Sequence, residues 1–271
     1  AAEGRRGLAL GPSAAGAEIV LRSDGLSKKV GSTVVADKVS LKVEASTRHS
    51  LIGLNGAGKT TFFNRLTGLM PNEGGTVTFQ GLDITGMPAH RRIDAGLARS
   101  FQIVSVFTNL TVFETVRVAA QARSPYRSSL WRDAYRLPEV CAKAWTLLAT
   151  VGLADRAQEL CANLAHGEQR LLEIAVALAT EPELLLLDEP LAGLGDADRE
   201  RIATVIRKLS RSHAVLLIEH DIDRVLALSD RITVLHQGNV IAEGEPAAIA
   251  NDPTVLEAYL GRHGRKAIQP V

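Results

Sequence analysis

Residues 53–61 read GLNGAGKTT. They follow the apolar run Ser50-Leu51-Ile52 and lead into FFNRLTGLM (62–70), a helical segment. The spacing G-x-x-x-x-G-K-T between a strand and a helix is that of a phosphate-binding loop. The glycines allow backbone N–H groups to converge on phosphate oxygens, and the helix N-terminus adds a partial positive charge. Asn55, Gly56, Ala57, Gly58, Lys59, Thr60 and Thr61 would surround the phosphates. Lys59 is placed to reach the β- and γ-phosphates, and the Thr60 hydroxyl to ligate Mg²⁺. A nucleoside triphosphate with magnesium is the ligand these residues call for.

Such a loop needs an acid on a neighbouring strand to hold the metal. ELLLLDEP (183–190) supplies one, as an apolar run ending in acids. That pattern belongs to a parallel strand buried on both faces. Asp188 is then the metal carboxylate, and Glu189 beside it orients or deprotonates a water. Two acids capping the next helix would fit locally, but would not explain why both directly terminate four leucines.

Working outward, AVLLIEHD (214–221) is a second such strand, after a helix over about Asp196 to Ser210. From Ile19 to Leu51 short β-like pieces (IVLR, STVVA, VSLKV, SLIGL) alternate with turns, and TVTFQ (76–80) is another strand. Helical periodicity fills Thr111 to Thr180, interrupted by SPYRSS and LPE. A helix (DRVLALS), a strand pair (RITVLHQGNVIAEG) and a helical tail close the chain. The order predicts an α/β protein: a mostly parallel P-loop core, an antiparallel β subdomain and an inserted helical subdomain. The expected division is a flexible tail over 1–18, the β subdomain with the first part of the core over 19–110, the helical subdomain over 111–180, and the rest of the core with a C-terminal tail over 181–271.

Composition agrees with an aliphatic α/β chain, at 46% hydrophobic and 4% aromatic residues. A net charge of +1 argues against general attraction to nucleic acid or acidic lipid. Cys141 and Cys161 have neither metal-ligand spacing nor a disulfide pattern, as suits a reducing compartment. No apolar run approaches the roughly 18–20 residues of a membrane helix. Residues 122–138 are Arg-rich and carry Tyr126, Trp131 and Tyr135, a basic surface insertion or a partner-contact element.

The ordered set of phosphate loop, ARSFQ (98–102), LAHGEQR (164–170), LLLLDEP (184–190) and LLIEHD (216–221) resembles the ATP-binding cassette (ABC) transporter ATPases over about residues 19–261. The resemblance implies ATP and Mg²⁺ as ligands. It makes Gln102 the glutamine of the loop that senses the γ-phosphate and the metal, and His220 the switch histidine on the γ-phosphate. LAHGEQR takes the place of the signature motif, so Leu164, Ala165, His166, Gly167 and Glu168 would cover ATP held on the phosphate loop of a second cassette. That role accounts for a helix headed by His166 and Gly167, where Ser, Thr or Asp would cap better. Ala165 replaces the signature serine and His166 its first glycine. Val30 stands where the family stacks an aromatic ring on adenine, and Gly195 where it often has Asp.

Within the family, ARSFQ, LTVFETV, GEQRLLEIAVAL, DEPLAGL, the stretch from Ile218 to Gly238 and the ending LEAYLG look like branched-chain amino acid importer ATPases. This implies a second ABC ATPase, membrane permeases and, indirectly, a periplasmic solute-binding protein as partners, with the chain peripheral on the cytoplasmic face of the inner membrane. A lipopolysaccharide-export-type ATPase and a degenerate regulatory subunit are the alternatives.

Overall fold

The computed structural model describes residues 18–30, 33–54, 56–71, 73–100, 108–125 and 137–260, with backbone alone at 28–30, 33–37 and 260. The leucine run forms β7 (Leu184–Asp188), inside a sheet whose strand order is β10-β9-β3-β8-β7-β6. Its other members are β3 (Arg48–Gly53), β6 (Leu97–Arg99), β8 (Ala214–Glu219), β9 (Arg231–His236) and β10 (Asn239–Gly244). All pairings are parallel except that of β10 with β9. Alternation explains the unbroken apolar runs. Leu184 and Leu186 face α1 (Lys59–Leu66), packing with Phe62, Phe63 and Leu66. Leu185 and Leu187 face α5 (His166–Ala179) and α6 (Asp196–Leu209). Both faces of β7 are covered, so Leu184 to Leu187 are apolar without a break.

The predicted short strands near the N-terminus are instead two long ones, β1 (Ile19–Val30) and β2 (Thr33–Glu44), paired antiparallel. The turn-like residues that broke the sequence pattern are bulges. Gly25 (φ 62°) and Lys38 (φ 50°) lie among register shifts around Leu26. Ser40 Oγ accepts the Gly25 N–H and Ser27 Oγ accepts the Lys38 N–H, replacing ladder bonds lost at the irregularity. With β4 (Thr76–Phe79) and β5 (Leu82–Asp83) they form a separate sheet, β2-β1-β4-β5.

The helical stretch contains α3 (Val112–Ala122) and α4 (Pro138–Val151) before α5. Thr111 and Glu114 form a reciprocal capping box: Thr111 Oγ1 accepts the Glu114 N–H, and Glu114 Oε2 accepts the Thr111 N–H. Residues of α3, α4 and α5 share one apolar cluster with Leu185, Leu187, Val215 and Leu217 of the sheet. The helices α7 (Ile222–Leu228), α8 (Pro246–Ala250) and α9 (Pro253–Leu260) cover β3 and β9 through Val225, Ile249 and Val255. Among the described residues no helix is long and apolar enough to cross a membrane.

No sequence pattern marks α2 (Ala89–Ala95), which positions a buried arginine. Arg92 is 2% exposed; its guanidinium donates to the carbonyls of Arg65 and Leu66 at the end of α1, and to those of Met87 and Thr85. A cation on the last carbonyls of a helix is favourable. Arg92→Met is expected to lower unfolding free energy by about 3 kcal/mol, because charged hydrogen bonds are lost and buried carbonyls are left unpaired. Urea titration measures it.

Candidate nucleotide site

The phosphate loop leaves β3 at Gly53, beside Leu235 of β9. A Cβ at Gly53 would lie 2.3 Å from the Leu235 carbonyl oxygen, so the first glycine is required by strand packing. Gly58 caps α1 with φ 96°, a conformation that costs a side chain dearly. Lys59 is 7% exposed, and its Nζ turns back to donate to the carbonyls of Gly53 at 2.5 Å and Leu54 at 3.2 Å. Burial lowers the Lys59 pKa, while Glu189 and, more weakly, Asp188 oppose that by raising it. Residues 56–61 and Glu189 line one depression of about 290 Å³.

The expectation that the acidic strand neighbours the loop strand is corrected: β8 lies between β3 and β7. The reason is topological. All three strands are parallel, so their C-terminal ends open onto one edge, where ligands of such sheets bind. Asp188 ends β7 and Glu189 follows it, with φ 47°. A non-glycine residue in the left-handed region stores backbone strain of the sort found at functional sites. The Glu189 N–H donates to the Ile218 carbonyl of β8 at 3.0 Å.

His220 leaves β8 with Nδ1 3.8 Å from Glu189 Oε1, both side chains about half exposed. Glu219, which the sequence did not single out, is 2% exposed and accepts the Leu191 N–H at 3.0 Å. Burial raises its pKa, and the Leu191 N–H partly offsets that. These bonds lace the loop after β7 to β8, so Glu189 and His220 are placed together. Arg99, the arginine of ARSFQ, reaches the same corner. Its Nη2 donates to Asp188 Oδ2 at 2.5 Å and its Nη1 to Asn64 Oδ1 at 2.6 Å, with its guanidinium carbon 5.6 Å from the Phe63 ring centroid. An arginine three residues ahead of Gln102 was the available signal.

The signature stretch lies elsewhere: none of residues 164–168 lines the depression. Ala165 is the N-cap of α5 and offers no side-chain acceptor, and Glu168 Oε2 instead accepts its N–H at 3.0 Å. Arg156 holds the other Glu168 oxygen at 3.2 Å. His166 is exposed, with Cε1 3.6 Å from a Cβ built on Gly193. Leu164 is buried in the apolar core, and its carbonyl accepts the Gln169 side-chain N–H at 3.0 Å. Gly167 packs against Asp198 of α6, whose Cγ would lie 2.5 Å from an added Cβ. Gly195, N-cap of α6, has open space around it. Asn55, Gln102 and most of the 122–138 insertion lie outside the described residues, as does the Val30 side chain.

Among the described residues no cluster of three or more His, Cys, Asp or Glu side chains could hold a metal alone. The oxygens present, the Thr60 hydroxyl and the Asp188 carboxylate, suit a hard cation that takes its remaining ligands from phosphates and water, as Mg²⁺ does.

A strand–glycine loop–helix on a parallel sheet, with paired acids and a histidine at the same edge, defines a P-loop nucleotide-binding protein. Residues 36–192 match the family model for the ABC transporter, and residues 239–265 match that for the branched-chain amino acid ATP-binding cassette transporter. The chain belongs to the ABC transporter family, as an ATP-binding cassette ATPase. It is 39% identical over 251 residues, covering 89% of this chain and 98% of the relative, to the high-affinity branched-chain amino acid transport ATP-binding protein LivG of Salmonella typhimurium. The corresponding protein BraF of Pseudomonas aeruginosa is 38% identical, with the same coverage. Among solved structures, an ATP-binding cassette of an ABC transporter in its ADP conformation superposes with a TM-score of 0.81 at 30% identity, covering 90% of this chain and 99% of that one.

Proposed function

We propose that the chain is the ATPase subunit of an importer for branched-chain amino acids or a related small solute. It would act from the cytoplasmic face of the inner membrane, beneath permeases fed by a periplasmic binding protein. The observation that carries this is the likeness of residues 239–265 to the branched-chain transporter model. This segment lies beyond the residues that handle phosphate.

The ATP phosphates would lie on the N–H groups of residues 56–61, with Lys59 leaving the Gly53 and Leu54 carbonyls to meet the β- and γ-oxygens. Glu189 would take a proton from the water that forms the new bond to γ-phosphorus as the bond to the β,γ-bridging oxygen breaks. His220, whose ring neighbours Glu189, would hold a γ-oxygen. Mg²⁺, held by Thr60, Asp188 and Gln102, would neutralise charge on the phosphates. Asn55 would complete the loop and Val30 would touch the adenine. The start of α5, Leu164 to Glu168, would close over ATP on a second ABC ATPase, and hydrolysis would reopen the pair. Ala165 lacks a hydroxyl for that contact, worth roughly 1.5–3 kcal/mol when the acceptor is charged. The helical unit over 111–180 would carry this surface.

Deleting the gene is expected to abolish high-affinity uptake of labelled leucine, isoleucine or valine. Wild-type chain should restore it and Lys59→Ala should not. Unchanged uptake of all three overturns the branched-chain cargo, and uptake restored by Lys59→Ala overturns the ATPase coupling.

A further inference from the structure

We propose that Arg99 is a positioning residue for the metal carboxylate: its guanidinium fork fixes Asp188 so that the second oxygen is presented to Mg²⁺. This rests on the assignment of Asp188 to the metal.

Arg99 ends β6, and Asp188 ends the adjacent β7, where Arg99 is in register with Leu186. The arginine therefore spans across the strand ends rather than pairing with its direct neighbour. Its Nη2 takes Asp188 Oδ2, and Nη1 takes Oδ1 of Asn64, which lies in α1 after the phosphate loop. Phe63 of the same helix lies against the guanidinium. The side chain is only 10% exposed and Asp188 25%. Two acceptors and a ring thus hold one planar cation, and that cation holds one oxygen of the carboxylate. Among the described residues Asp188 Oδ1 has no hydrogen bond, which leaves it for a metal. The fork also ties α1, which carries Thr60, to β7, which carries Asp188. Two of the protein oxygens proposed for the metal site, those of Thr60 and Asp188, are therefore set relative to each other through Arg99 and Asn64.

Two opposing effects follow from removing Arg99. Loss of orientation weakens metal binding; partners that orient metal ligands typically contribute about 10–100-fold in affinity. Loss of a positive charge near a cation strengthens it. Lysine separates them, because it keeps the charge but lacks the planar fork that reaches two acceptors.

The test titrates Mg²⁺ into the purified chain with a fluorescent ATP analogue, and measures nucleotide affinity in EDTA on the same samples. Arg99→Lys is expected to raise the half-saturating Mg²⁺ by about 10–100-fold, and Arg99→Ala by less, because the lost charge offsets part of the lost orientation. Affinity in EDTA should stay within about twofold, taking metal-free binding as the control for an intact phosphate loop. Asn64→Ala, which does not touch Asp188, should shift the Mg²⁺ requirement in the same direction. An unchanged or lowered Mg²⁺ requirement for Arg99→Lys overturns the proposal, as does an equal loss of affinity in EDTA. Asp188→Asn run in parallel keeps the two failures apart. If it leaves the Mg²⁺ requirement unchanged, the metal assignment fails; if it shifts the requirement while Arg99→Lys does not, only the role of Arg99 fails.

Discussion

Glu189→Gln is expected to cut ATP turnover by about 10²–10⁴-fold, the usual contribution of a positioned general base. ATP binding should survive, and the variant should accumulate as an ATP-bound pair, because closure no longer ends in hydrolysis. The structure makes this substitution clean. Glu189 shares the depression formed by the phosphate loop and has φ 47°. Glutamine has nearly the same shape and meets the same backbone cost, so strain is not altered with charge. The N–H that fixes the residue to Ile218 is backbone and remains. Phosphate release measures turnover, and size-exclusion chromatography with and without ATP measures pairing. Unchanged turnover would remove Glu189 from the chemistry.

Gly167→Asp is expected to lower hydrolysis by at least about 10²-fold, the loss typical when a donor to a developing oxyanion is removed. Binding of ATP by a single chain should stay within about twofold, since residues 164–168 do not line its own depression. The new carboxylate would place negative charge at the helix start proposed to face the γ-phosphate. The structure adds a complication. Asp198 of α6 already fills the direction a Cβ would take, its carboxylate oxygens 2.8 Å away. Asp198 is a partly exposed side chain and can swing aside, but packing of α5 on α6 is disturbed as well. Gly167→Asp and Gly167→Asn, each combined with Asp198→Ala, separate the causes, because both side chains enter the room that Asp198 vacates and they differ by one charge at nearly equal size. Hydrolysis should be lower with aspartate than with asparagine, at similar thermal stability. Equal hydrolysis in the two would take charge out of the defect and sink the cross-subunit role.

Much of this protein was legible in the sequence where one residue type answers one local demand. Alternating burial on two covered faces makes a leucine run, so β7 and β8 could be placed from pattern alone. Helical periodicity beginning at Thr111 located the helical stretch, whose first helix starts at Val112. The long hairpin is hidden from the sequence pattern because Gly25 and Asp37 are turn-type residues, whereas register shifts absorb the irregularity around Leu26 inside the strands. Sequence pattern does not mark Arg92, Arg99 or Glu219, for a common reason. Each is a charged residue near a short element, and its importance lies in acceptors or donors distant in the chain. Arg92 serves the end of α1, Arg99 spans from β6 to α1 and β7, and Glu219 reaches Leu191.

By itself, then, the sequence determined the phosphate loop, the acids and histidine at strand ends, and the order of motifs along the chain. These depend on spacing within a few residues, which strand and helix periodicity turn directly into geometry. Only the tertiary structure decided that β8 separates the loop strand from the acidic strand, and that Glu189 shares one depression with residues 56–61. It alone placed the head of α5 away from that depression and set Asp198 against Gly167. Strand order and helix packing are fixed by burial between segments far apart in the chain, and no local pattern encodes them.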